Sequence, residues 1–400
     1  MPPETQPAPY PTSMDADAMR YLAEHGIAPR RLRIRSSDYR MLRSCPFTWY
    51  LSRRLGLIKA SSYSNALSRG SWAHLAFACA KSGNGYDLYM NALAAREQEI
   101  RVTAKAIGWQ PETVRDMIER EEKDAITAYS WFQAALDVPY DQHGTTLKQW
   151  LGFTSFLSQE VMYTHEDCVI QPDAIVSMKS DPDTIWIVDF KTTAHNPQVR
   201  LQTCPVEFQT QHYFHVLQSL MHENRDFEGK KLGGVLHVAV QKPTIEFGMK
   251  DRPFTLDTSP FKSGPRKGEP RNEKIYIGDP DPSLYQQRCY EWYVGTGEYL
   301  HLEPERLTAP CVNFSTTTRD HLLDAESIRM YNERLGFCRN YLGREPWPSQ
   351  YEIGDPSVGV GGLSPYFPFM VVEPGRWPDV IAQERFVQRD RDDAVLQEQA

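Results

Sequence analysis

The chain has 400 residues and a net charge of −8, with 40% hydrophobic and 24% charged residues. That length is enough for a large core in one or two domains. No run of roughly twenty apolar residues occurs, which speaks against a membrane span, and seven cysteines without regular spacing argue for a reducing, cytoplasmic compartment.

Residues 1–30 read as a flexible arm with one short helix, Met14 to His25. Pro2-Pro3-Glu4-Thr5-Gln6-Pro7 lacks the apolar core of a signal peptide. Residues 36–55 read as helical, with Pro46 placed to break or restart the helix. Between Ala28 and Gly70, ten Lys or Arg stand against one acid, Asp38. Arg40 and Arg43 belong to that stretch, which also carries Tyr39, Phe47, Trp49, Tyr50 and Tyr63. Basic residues can track phosphates while aromatics stack on unpaired bases. The plainer alternative is a solvated helix face over core aromatics.

The next helical run, Ala66 to Ala80, sets Gly70 and His74 on one face. Two charged helices follow over 86–137, split near Gly108 to Pro111, and read as an insertion of about 84–140. Strands are expected near 152–163, 168–178 and 184–192, then a helix from Val206 to Glu223. On that helix Gln209, Tyr213, Val216 and Leu220 share a face. Further strands are expected over Gly234–Gln241 and Ile245–Lys250, then a basic loop over 251–281 and helices over 282–299 and 318–341. Residues 346–400 read as an extension rich in proline and glycine that ends in a charged tail after Asp390. No Gly-rich Lys-Ser/Thr phosphate loop occurs, so the sequence encodes no helicase or ATPase motor.

The chemistry concentrates between Ile170 and Thr193. Pro172-Asp173 and Asp189-Phe190-Lys191 lie on apolar runs separated by the turn-like Lys179-Ser180-Asp181-Pro182-Asp183. A hairpin would place Asp173 beside Asp189. Strand alternation would put Asp189 and Lys191 on one face and Phe190 on the other. Two carboxylates suit Mg²⁺ or Mn²⁺, with the Phe190 backbone carbonyl as a third oxygen. Such a cation lowers the pKa of water and polarises a phosphate. Beside it, Lys191 is expected to shift towards a lower pKa by like-charge repulsion.

Taken in order, G-x-x-x-H, P-D, D-x-K-T and Q-x-x-x-Y resemble the RecB-like, phage-type exonuclease branch of the PD-(D/E)XK nuclease superfamily. The resemblance implies metal binding by His74, Asp173 and Asp189, catalysis by Lys191, and substrate binding supported by Gln209 and Tyr213. Glu160, near the preceding strand, matches the place of a further acid that relatives often carry. Gly70, Tyr39, Arg40 and Arg43 are the remaining substrate-binding candidates. Many relatives hold a four-cysteine iron–sulfur cluster. Cys45 matches the first of its cysteines, but Cys289, Cys311 and Cys338 are dispersed, so no cluster is expected.

The expected fold is an α/β restriction-endonuclease-like core over 31–345: a central mixed sheet flanked by helices, with the inserted helical pair and the C-terminal extension. The expected activity is metal-dependent DNA cleavage in phage or mobile-element recombination, repair or processing, in the host-cell cytoplasm if phage-encoded. DNA is then the partner, with a separate helicase, recombinase or single-strand-binding protein as a further one. The alternative is a silent or partner-dependent DNA-binding subunit of such a complex.

Overall fold

A computed structural model describes residues 32–59, 69–260, 262–299, 311–342, 380 and 386–388. The Met14–His25 helix, Arg30, Arg31, Tyr63 and the tail after Asp390 lie outside these residues.

The chain enters through α1, Asp38–Ser44, and α2, Pro46–Trp49. Pro46 occupies the start of α2, where a missing N–H costs nothing. The helix continues as a π turn through Tyr50–Arg54 to β1, Leu57–Lys59. Next come α3, Arg69–Cys79, then α4, Gly85–Ile107, and α5, Pro111–Leu136. Gly108, with φ +73°, ends α4, and Pro111 opens α5. A Thr146–Gln149 capping box starts α6, Leu147–Phe153.

The strands β2, Thr154–Gln159, β3, Tyr163–His165, β4, Cys168–Ile170, β5, Ala174–Met178, and β6, Asp181–Thr193, follow. Helices α7, Pro197–Thr203, and α8, Phe208–Leu220, lead to β7, Lys231–Gln241. After β8, Phe254–Asp257, and β9, Glu273–Tyr276, come α9, Pro282–Val294, and β10, Val312–Thr318. Helices α10, Arg319–Leu322, and α11, Ala325–Leu342, precede β11, Phe386–Gln388, which pairs with β1.

The central sheet has five strands in the order β10-β7-β6-β5-β2. β6 and β7 are parallel and the other neighbours antiparallel. This is the expected mixed sheet flanked by helices. The parallel pair needs a crossover, and α7 and α8 supply it. Alternation along the strands divides the core into two layers. Ile175, Ile185, Ile187 and Val235 pack with Phe214 and Leu217 of α8 and with Leu42 and Phe47. Ala174, Val188, Phe190 and Val238 pack with Trp72 and Phe77 of α3, Trp131 and Phe132 of α5, and Trp292 of α9. The second half of α5 is thus part of the main core.

Several local expectations change. The run 152–163 divides into the end of α6, β2 and β3. The run 168–178 is two strands, β4 and β5, interrupted at Gln171–Asp173. Pro172 has no N–H for a ladder there. The turn before β6 is shorter than its composition suggests, since β6 already starts at Asp181. No strand forms over Ile245–Lys250; instead a 3₁₀ turn spans Met249–Asp251. The basic segment 251–281 holds an antiparallel hairpin, β8 with β9, and edge strand β10 is an element the sequence reading lacks. No helix among the described residues is long and apolar enough to cross a membrane.

Candidate active site

The β5–β6 ladder runs to Ala174 opposite Val188. Asp173 therefore emerges just beyond it, beside Asp189. Two contacts hold its carboxylate. Oδ2 accepts the Phe190 N–H at 2.6 Å, and Oδ1 lies 2.8 Å from His74 Nδ1. In an extended strand the N–H and C=O of one residue point to the same edge. The Phe190 carbonyl therefore faces the edge that carries Asp173.

The two faces of β6 divide as the alternation requires. Phe190 is fully buried on the α3 side, stacked on Phe77 at 4.8 Å and edge-on to His74 at 5.1 Å. Asp189 and Lys191 face α8. Lys191 Nζ lies 2.7 Å from Asp189 Oδ1 and donates to Gln209 Oε1 at 2.9 Å. Gln209 Nε2 donates to Asp189 Oδ1 at 3.2 Å and to the Tyr213 hydroxyl oxygen at 3.0 Å. Tyr213 in turn donates to the Gln171 carbonyl at 3.0 Å.

Glu160 joins the other side of the site. Its φ of 51° is in the left-handed region, which an L residue occupies at a cost of about 1–3 kcal/mol. Its N–H donates to the Asp173 carbonyl at 3.2 Å. One ligand atom each from His74, Glu160 and Asp173 lie within 4.8 Å of one another. These three line an open cleft of about 610 Å³ with Gly70, Ser71, Trp72, Leu75 and Ala92. A nitrogen and carboxylate oxygens converging on open space form a donor set that suits a divalent cation.

The electrostatics fit charged groups held in low dielectric. Burial and the neighbouring Asp173 charge push the Glu160 carboxyl up to about 7. For His74, burial opposes the charged form, but Asp173 outweighs it through charge and hydrogen bond, so the value rises. For Asp189, burial alone would raise the pKa; Lys191 and His237 outweigh it and hold the group below the usual carboxylate range. Lys191 is also driven down by burial, yet Asp189 prevails and raises it. The lowering expected from the sequence is that of a lysine beside a bound cation, a different state from this one. Without the cation, the 2.7 Å contact with a carboxylate accounts for the rise.

The family model of the PD-(D/E)XK nuclease superfamily matches residues 36–288, more than half of the 400-residue chain. The chain belongs to the PD-(D/E)XK nuclease superfamily. Phosphodiester hydrolysis with a divalent metal is the chemistry of that family. No curated protein matches the sequence at a significant level.

In this PD-(D/E)XK nuclease the fold brings His74, Asp173, Asp189, Lys191, Glu160, Gln209, Tyr213 and Gly70 to one end of the β5–β6 hairpin. It does not bring the α1 candidates there. Tyr39 packs on Phe208 at 5.3 Å and Phe337 at 5.9 Å. With Arg43 it lines a separate cavity beside Arg334 and Tyr341. Arg40 is exposed on the same short helix. Three aromatics of the basic stretch are core: Phe47 and Trp49 are 1% exposed and Tyr50 6%. Part of its charge is spent internally. Buried Asp38 accepts from Trp49 Nε1 and Arg53 Nε, each at 3.1 Å, and Arg69 pairs with Asp124 and Glu246.

Cys45 caps α2, its Sγ accepting the Thr48 N–H. Cys45 and Cys338 lie in the core layer on the α8 side, whereas Cys289 and Cys311 lie in the opposite layer. The sequence reading missed His237. It is fully buried in β7, opposite Asp189 in the ladder, with Nδ1 3.0 Å from Asp189 Oδ2. A lone histidine inside the apolar run Gly234–Gln241 was the available signal.

Proposed function

We infer that this chain is a Mg²⁺- or Mn²⁺-dependent deoxyribonuclease that digests DNA from an end. The observation that carries the reading is the assembly of two bonded groups at one strand end. Lys191, Asp189 and Gln209 form one. Asp173, His74 and Glu160 form the other, open to the cleft. His74, Glu160, Asp173, Asp189 and the Phe190 carbonyl would hold the cation. When bound, it supplies positive charge to the phosphate and lowers the pKa of an attacking water.

The protein's own groups do the rest. Lys191, held between Asp189 and Gln209, is a hydrogen-bond donor and a charge for the phosphate oxygens. Gln209 orients both Lys191 and Asp189. Tyr213 ties α8 to the loop that carries Asp173. The reading is direct attack of water on phosphorus with departure of the ester oxygen. The combination of the His74 and Gln209–Tyr213 motifs supports the exonuclease branch, and with it a role in processing DNA ends in phage or mobile-element recombination or repair.

The test compares end-labelled linear duplex, linear single strand and covalently closed circular DNA in Mg²⁺ or Mn²⁺. Loss of linear DNA with intact circles is the expected result. Nicking or linearisation of the circle would assign an endonuclease instead.

A further inference from the structure

The apolar strand β7 turns one polar side chain towards Asp189. His237 has no solvent exposure and is paired with Asp189 across the parallel ladder. Its Nδ1 lies 3.0 Å from Asp189 Oδ2, and its Nε2 lies 3.0 Å from Thr317 Oγ1 on β10. Thr317 is 2% exposed. The connection crosses three adjacent strands, β6, β7 and β10. An imidazole and a hydroxyl in a buried layer are costly unless each is bonded. Valine or leucine would fill that space without the cost. The two polar groups satisfy each other and one more group, the Asp189 carboxylate.

We propose that His237 is a positioning residue for the nuclease reaction, its Nδ1–H holding the Asp189 carboxylate in one orientation while the Thr317 hydroxyl, donating to Nε2, fixes the tautomer. This inference rests on the reading of Asp189 as a cation ligand. The Asp189 carboxylate torsion is broad and two-fold by itself. Oδ1 is engaged by Lys191 and Gln209, so a bond to Oδ2 from the opposite side removes the remaining freedom. Carboxylates and histidines that hold a cation commonly depend on such outer partners.

A competing use of the same atoms exists. Cys204 Sγ lies within 4.8 Å of ligand atoms of Asp189 and His237, a set that a thiophilic cation would accept. Two observations favour the hydrogen-bonded arrangement. Both ring nitrogens of His237 are already engaged, Nδ1 with Asp189 Oδ2 and Nε2 with Thr317 Oγ1, each at 3.0 Å, so neither is left over for a thiophilic cation. The Cys204 thiol lies 3.5 Å from the Arg200 carbonyl, which it meets as a donor.

The experiment uses the full chain with His237→Ala, His237→Asn, Thr317→Val and Thr317→Ser. Mn²⁺ affinity is measured by calorimetry, kcat and KM on end-labelled DNA, and folding by thermal melting. The proposal predicts that folded His237→Ala loses about 10–100-fold in Mn²⁺ affinity and kcat, with KM for DNA unchanged. His237→Asn, which retains an N–H donor, recovers most of the loss. Thr317→Val shows a smaller loss of the same kind and Thr317→Ser none. If His237→Ala does not fold, the asparagine and threonine variants carry the comparison.

Wild-type Mn²⁺ affinity and kcat in folded His237→Ala would overturn the proposal. So would an asparagine variant as defective as alanine, which assigns His237 to packing alone. Tight Zn²⁺ binding abolished by Cys204→Ala would replace it with a thiophilic site. A wild-type chain that binds Mn²⁺ but cuts no nucleic acid would sink the functional reading, while the Mn²⁺ comparison still decides the role of His237.

Discussion

Tyr213 donates its hydroxyl hydrogen to the Gln171 carbonyl at 3.0 Å, across 42 positions of sequence. Gln171 begins the short loop that delivers Asp173, and Tyr213 also accepts from Gln209. One helix face therefore fixes the loop of one acid and, through Gln209, the carboxylate of the other. The motif tyrosine serves the geometry of the protein: it is 7% exposed and has no stacking surface to offer.

Tyr213→Phe should remove that tether while keeping the ring. The expected cost is about 1 kcal/mol in stability, with a fall in kcat and little change in KM. Urea denaturation and steady-state cleavage check both. A variant with unchanged kcat would separate the loop from the chemistry.

Gln209→Leu should leave Lys191 and Asp189 without their shared amide. Activity is expected to fall roughly 10–100-fold with DNA affinity retained. Filter binding and cleavage on the same preparation measure the two quantities. Lost affinity with intact turnover would instead make Gln209 a substrate contact.

Much of this was legible because strands impose a period of two. Asp189, Phe190 and Lys191 had to alternate faces, whereas the interruption at Pro172, inside the run expected as one strand over 168–178, was not read. Helical spacing likewise put His74 with Gly70 and Gln209 with Tyr213. What escaped depends on long-range pairing. Nothing local says that His237 stands opposite Asp189, 48 positions earlier. Nor does the sequence say that Asp38 and Asp124 absorb arginines of the basic stretch, or that Phe47 and Trp49 face inward. The β8–β9 hairpin hid in a segment whose Gly, Pro and Lys content reads as loop, because its strands are only four residues each.

Phe190 links the site to the core. Its ring stacks on Phe77 and meets Phe132 edge-on at 5.7 Å. Phe190→Ala should cost about 3–5 kcal/mol, measured by the denaturation midpoint, and should displace His74 as well. A loss below about 1 kcal/mol would mean the site can collapse around the gap.

Acid should destabilise the fold through α8. Burial lowers His212 from 6.5 to about 4, and His215, half-buried beside it, is likewise lowered to about 4. His212 Nε2–H donates to the Ile34 carbonyl at 3.1 Å in the neutral form. Because the unfolded chain binds these protons first, stability is full above about 6.5. It declines as pH falls towards 4, by about 3 kcal/mol per imidazole at most. The double variant His212→Gln with His215→Gln should flatten that decline in denaturation curves. An equal slope in wild type and variant would assign the acid limb to other groups.

The most direct test of the account is cleavage of end-labelled DNA by wild type and Lys191→Ala, with Mg²⁺, Mn²⁺ or EDTA, beside DNA binding by fluorescence anisotropy. The account predicts metal-dependent release of label by wild type, none in EDTA, and none by the variant, with binding retained. Cleavage by Lys191→Ala at the wild-type rate, or cleavage by wild type undiminished in EDTA, would contradict it.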